Sequence, residues 1–299
     1  MEYAQLSDTL SISRIVQGLW RVTDWNYSDM QLLKFVEEVL SLGIDSFDQA
    51  DIYGNYESEK KFGEALKLKP SLREEIKIIS KCGIKLLSDK FPERKAKHYD
   101  YSYEHIVKSA ETSLKNMRTD RLDLLLLHRP SPFFNAEEVA RAFEFLKKGG
   151  KVLHFGVSNF KPSQFEVLQS YLSDSLVTNQ VEISPFCLEH FENGNIDFFQ
   201  KHKIKPMAWS PLGGGNIFNT KDEGIISCLE VLNRIGEELN CSVDQVVYAW
   251  LVKHPVGICP VIGTGKIERV KSAAKSLEID LNLEQWFQIY EAGLGEELP

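Results

Sequence analysis

The sequence predicts an α/β fold of the (β/α)8 type, on three observations. Eight short apolar segments alternate with amphipathic ones along 299 residues, a length that one eight-stranded barrel commonly fills. Simple alternation of strand and helix implies a parallel sheet, and eight such strands close on themselves. Three of the segments end in chemistry-bearing residues: Asp48 and Tyr53 after Ile44 to Phe47, Lys81 closing Ile76 to Cys82, and His128 after Leu122 to Leu127. Enzymes built as a TIM barrel keep their functional groups at the C-terminal ends of the strands.

A hairpin-like stretch, Tyr3 to Leu6 and Leu10 to Ser13, precedes the first barrel strand. Strands are predicted at Ile15 to Trp20, Ile44 to Asp48, Ile76 to Lys81, Leu122 to His128, Val152 to Ser158, Val177 to Val181, Lys205 to Trp209 and Gly257 to Ile262. Helices are predicted at Met30 to Leu42, Ser58 to Leu66, Tyr103 to Asn116, Ala136 to Lys148, Pro162 to Tyr171, Ile196 to His202, Gly224 to Leu239, Val243 to Lys253 and Ile267 to Leu277, so that extra helices gather toward the C-terminus. Ser102, Asn135 and Ser242 stand where N-caps belong, and Gly149-Gly150 where a helix should end. No linker or low-complexity segment interrupts the chain, so residues 1–299 read as one domain. The loops Asp89 to Asp100, Ser131 to Asn135 and Leu212 to Glu223 follow strands and are expected to wall a substrate pocket.

Composition narrows the function. A formal net charge of -8 and a pI near 5.5 oppose a nucleic-acid partner, which needs a basic face. The local run Arg94, Lys95 and Lys97 is offset by Asp89 and Glu93. No apolar run reaches the length of a membrane helix, and the first ten residues lack a secretory pattern. A cytoplasmic protein is expected, its five cysteines reduced and without a Cys-x-x-Cys pair. Cys187 and His190 form the one local Cys/His pair, and two ligands do not close a metal site, so no metal is expected.

Taken singly, Tyr53 could be a half-buried ring, Lys81 a solvated lysine and His128 a strand cap. Their shared position is what singles them out. The blocks FDQADIYG (Phe47 to Gly54), SKCG (Ser80 to Gly83), LLLHRP (Leu125 to Pro130), GKVLHFGVSNF (Gly150 to Phe160), TNQVEIS (Thr178 to Ser184), AWSPLGGG (Ala208 to Gly215) and VIGTGKIERV (Val261 to Val270) together resemble the aldo-keto reductase superfamily over essentially the whole chain, and more narrowly a bacterial oxidoreductase branch of it.

The resemblance implies reduction of a small-molecule aldehyde or ketone by hydride transfer. Tyr53 would be the proton donor, Lys81 the cation that lowers the phenol's pKa, Asp48 the partner of Lys81, and His128 the group that orients the carbonyl oxygen. No Gly-x-Gly-x-x-Gly follows the first strand, so a Rossmann site has no support. The resemblance supplies another cofactor site, for NADPH with NADH possible. In it Ser158, Asn159 and Gln180 would hold the carboxamide and Trp209 stack on the nicotinamide ring. Ser210, Leu212 and Gly213 would approach the pyrophosphate, and Thr264, Gly265, Lys266 and Arg269 would bind the adenosine 2′-phosphate. Ser272-Ala273 stands where many relatives have a Glu-Asn pair that grips adenine, which leaves the preference for NADPH open. Trp20, after Gly18-Leu19, fits a core or an active-site position equally. Two alternatives use the same fold: a Schiff-base enzyme acting through Lys81, and a cofactor-binding regulatory subunit with little turnover. The oligomeric state is open.

Overall fold

The computed structural model describes residues 1–218 and 220–298. Its centre is a closed barrel of eight parallel strands: Val16–Gly18, Ser46–Asp48, Lys77–Cys82, Leu122–Leu127, Val152–Ser158, Asn179–Glu182, Met207–Trp209 and Cys259–Ile262. Each pairs with its neighbour in sequence, and Val261 and Ile262 of the last strand close the ring against Val16 and Gln17 of the first. Because all run the same way, every strand's C-terminal end opens on one rim.

The fourth strand shows why these segments read so clearly. All six residues of Leu122–Leu127 are buried. Leu124 and Leu126 point into the barrel, while Leu125 and Leu127 pack outward against the helices. A strand covered on both faces has no polar side to alternate with. The barrel interior is completed from below by the hairpin Tyr3–Ser7 and Leu10–Ser13, whose Ala4, Leu10 and Ile12 join Val16, Ile79, Met207 and Val261 in one apolar cluster.

Every expected strand and helix is present, generally within two residues at each end. Beyond them the structure adds a small antiparallel ribbon, Ile84–Lys85 with His98–Tyr99, and a last helix, Leu283–Leu294. That helix is locked by Trp286, which stacks on Trp250 with centroids 5.1 Å apart while each indole N–H donates to the other residue's carbonyl. The caps follow the sequence: Ser102 accepts from the His105 amide and Asn135 from those of Glu137 and Glu138. At Ser242 the box is closed by Gln245, whose side chain accepts from the Ser242 amide. Gly150, at φ 66°, ends the helix Ala136–Lys148 in a conformation that costs glycine least. Asn135→Ala removes two amide partners at a solvent-facing helix end. It should cost about 1 kcal/mol, read as a lower urea midpoint with an unchanged slope.

Candidate active site

Tyr53, Asp48, Lys81 and His128 converge at the open rim. Lys81 is completely buried, with Nζ 2.6 and 2.8 Å from the two carboxylate oxygens of Asp48, 2.9 Å from the carbonyl of Gln49 and 3.1 Å from the Tyr53 hydroxyl. A buried ammonium survives only with such partners. Burial lowers its proton affinity, but Asp48 and Tyr53 outweigh that, and the net direction is up. A charged, fully bonded amine has no lone pair to attack a carbonyl, so the geometry opposes the Schiff-base alternative.

Tyr53 departs from expectation in one respect. Its pKa is raised overall: burial leads, and Asp48 adds to it, against the downward pull of Lys81. A neighbouring lysine was expected to lower it, and Lys81 does pull it down, but removal of the phenol from water is the larger effect. His128 stands edge-on to the Tyr53 ring, with centroids 5.8 Å apart. Burial first, then Lys81, Arg129 and Lys97, holds the imidazole well below its usual range, so it is neutral. Its Nδ1 is buried without a hydrogen-bond partner among the described residues. The second acid of the DQAD run, Asp51, turns away to accept from Ser109 and is pushed up to about 8 by burial and Glu59.

Tyr53 sits on an unusual turn. Gly54, Asn55 and Tyr56 are all left-handed, at φ 56°, 53° and 68°. Two side chains of this turn reach the loop that follows the third strand: Asn55 bonds Asp89 and Ser88, and the Tyr56 hydroxyl receives the Leu86 amide and Arg94. Arg94, from the short basic run, lies 3.6 Å over the Phe91 ring.

A cavity of about 1160 Å³ begins at these residues and runs along the rim. On its floor the Ser158 hydroxyl donates to the Gln180 carbonyl, and the Asn159 amide nitrogen donates to Ser158 Oγ. Asn159 Oδ1 accepts from the Trp209 indole, and Gln180 Nε2 donates to Asp48 Oδ1, which ties the floor to the Lys81 pair. Ser210, Leu212, Thr264 and Arg269 also line the cavity. Gly213, Gly265 and Lys266 do not: Gly214 and Gly215 line it instead, Gly265 packs on Trp25, and Lys266 is exposed. Trp20 also lines the mouth and is 53% exposed, so it belongs to the rim and not to the core.

Of the three loops expected to wall the pocket, two contribute. Lys97 and Tyr99 come from the first, and Leu212 and Phe218 from the third, of which Asn219 lies outside the described residues. The loop Ser131 to Asn135 contributes no lining residue, because Phe134 turns down between Tyr101 and Phe160 and Phe133 projects into solvent. Arg129, Arg21 and Tyr248 line the cavity without having been singled out. The Arg beside His128 was visible in HRP, but nothing local says which way it points.

The residues present fit an extended dinucleotide. Amide-bearing groups and an indole lie at the end near Tyr53, small residues follow, and Arg269 and Ser272 lie at the far end. The helix Ile267–Lys275 has no side-chain cap there, which leaves its first amides available to an anion. Among the described residues no cluster of His, Cys, Asp or Glu could hold a metal ion, and no helix is long and apolar enough to cross a membrane.

A phenol, a buried lysine–carboxylate pair and an imidazole thus meet at the mouth of a parallel barrel, and comparison with known proteins places the chain among oxidoreductases that depend on a nicotinamide dinucleotide. The chain belongs to the Aldo/keto reductase family, whose profile matches residues 14–293. It is 50% identical to Oxidoreductase YdhF of Escherichia coli over 96% of this chain and 95% of that protein. It is 43% identical to the 6-dehydroglucose reductase of Agrobacterium fabrum over all of both chains. Among solved structures, the thermostable aldo-keto reductase Tm1743 superposes with a TM-score of 0.83 over 98% of this chain and all of that one, at 24% identity.

Proposed function

We propose that this protein reduces aldehyde or ketone carbonyls to alcohols, with NADPH as the preferred hydride source and Tyr53 as the acid. The observation that carries the reading is the 3.1 Å approach of a charged, buried Lys81 to the Tyr53 hydroxyl, with Asp48 holding the lysine from the other side. A nicotinamide dinucleotide held by Ser158, Asn159, Gln180 and Trp209 would supply the hydride. Tyr53 then gives its proton to the developing alkoxide, and Lys81 steadies the phenolate that remains. Asp48 keeps Lys81 charged and in place. His128, being neutral, can donate an N–H to the carbonyl oxygen without adding a positive charge. The name of the Agrobacterium relative supports a carbonyl on a sugar-sized molecule. Five free thiols, three of them buried, suit the reducing cytoplasm, where we place the activity.

NADPH oxidation against a panel of aldehydes, ketones, quinones and sugars tests the reading; no turnover with any member overturns it. The cofactor preference has its own test. Arg269 lines the far end of the cavity, but Glu268 and Asp244 line it too, and carboxylates there weaken the hold on a 2′-phosphate. We therefore expect a modest preference. Arg269→Ala should weaken NADPH binding roughly tenfold and leave NADH binding nearly unchanged. Equal losses for both cofactors, titrated by tryptophan fluorescence, would show that Arg269 does not read the phosphate.

A further inference from the structure

We infer that the carbonyl substrate is an anion, its carboxylate or phosphate received by Arg129 and Lys97 at the mouth of the cavity. This rests on the reductase reading and names its substrate class. Both side chains line the cavity that holds Tyr53 and His128. Neither takes part in any ion pair among the described residues. The neighbouring cations are otherwise engaged: Lys81 by Asp48, Lys85 by Asp100, Lys90 by Glu57, Arg94 by the Tyr56 hydroxyl and the Leu86 carbonyl, and Arg21, which also lines the cavity, by the Gly214 carbonyl.

Arg129 is also held in position. Its backbone N–H donates to the Tyr101 hydroxyl, which in turn donates to its carbonyl, and its guanidinium lies 5.3 Å from the centre of the Trp209 ring. Tyr101 is itself buried against Gly83, where even a methyl group would collide with its ring. A planar guanidinium fixed in this way presents a fork to a carboxylate or phosphate.

Charge around the reacting centre points the same way. Asp48 is neutralised by Lys81, and the nearby Glu182 senses Arg129 but lies beyond ion-pair distance. Arg129 and Lys97 thus leave a positive mouth on a chain of net charge -8. Such a focus attracts anions and raises their encounter rate.

Matched pairs test this in the cofactor-loaded enzyme: glyceraldehyde 3-phosphate against glyceraldehyde, and succinic semialdehyde against butanal. Wild type should favour the charged member of at least one pair in kcat/KM by roughly ten- to a hundredfold, and that preference should shrink at high salt. Which pair shows it distinguishes phosphate from carboxylate. Arg129→Met keeps a stem over Trp209; it should lower both members but bring the ratio close to one, while Arg129→Lys keeps part of it. If the Met variant does not fold, Lys97→Ala and the wild-type salt dependence decide. Equal use of charged and neutral members by wild type, or an unchanged ratio in the variants, overturns the inference alone. Turnover of other members of the carbonyl panel but of none of these four also overturns the inference, whereas failure across the whole panel overturns the reductase reading itself.

Discussion

Tyr53→Phe should lose about 10²- to 10⁴-fold in turnover, the usual worth of a positioned general acid, while binding the dinucleotide as before. The substitution is clean because the ring has its own neighbours: Trp20 at 6.4 Å and His128 at 5.8 Å between centroids. Only the hydroxyl and its contact with Lys81 disappear. Single-turnover kcat with cofactor affinity by tryptophan fluorescence makes the comparison, and a Phe variant with wild-type kcat would remove Tyr53 from the chemistry. The pH dependence has a definite sign. Reduction needs the protonated phenol, and its pKa is raised, so activity should hold across the neutral range and fall only on the alkaline side.

Lys81→Met should damage stability as well as rate. It leaves Asp48 buried with the Gln180 amide but no cation, and removal of one partner of a buried pair costs about 3 to 5 kcal/mol. Asp48→Asn in the Lys81→Met background should recover part of that loss, since the stranded charge is gone, without restoring turnover. Urea unfolding of the two single variants and the double variant gives the coupling directly. In the Met variant the phenol also loses the one strong influence that pulls its pKa down, so the basic limb of the reduction profile should move upward. Additive stability losses and an unmoved limb would mean that Lys81 and Asp48 do not act as a pair.

The barrel was legible because its strands are apolar on both faces, as in Leu122–Leu127, and because polar groups appear abruptly at their ends. Strand ends were read long: Ile15 and Ile44 are buried beside the sheet but outside its pairing. The ribbon Ile84–Lys85 with His98–Tyr99 was invisible, since two residues carry no period. The direction of the Tyr53 shift was also beyond reach. A lysine twenty-eight residues away in sequence can be anticipated as a neighbour, but the depth of burial that outweighs it arises only from tertiary packing. Trp20 and Arg129 illustrate the same limit. Residue type marks them as notable, whereas pointing into the mouth depends on what packs beneath them.

The left-handed run after Tyr53 has an evolutionary consequence. Non-glycine residues at positive φ are costly and persist where their surroundings hold them, and here the holders are Leu86, Ser88, Asp89 and Arg94 in the pocket-wall loop. The segment that lends Leu86, Lys97 and Tyr99 to the cavity wall is therefore the same segment that clamps the turn bearing the phenol. A lineage that rebuilds this loop to accept a new molecule must also refit the clamp, so selectivity and rate are inherited together and drift toward new substrates proceeds through slower intermediates.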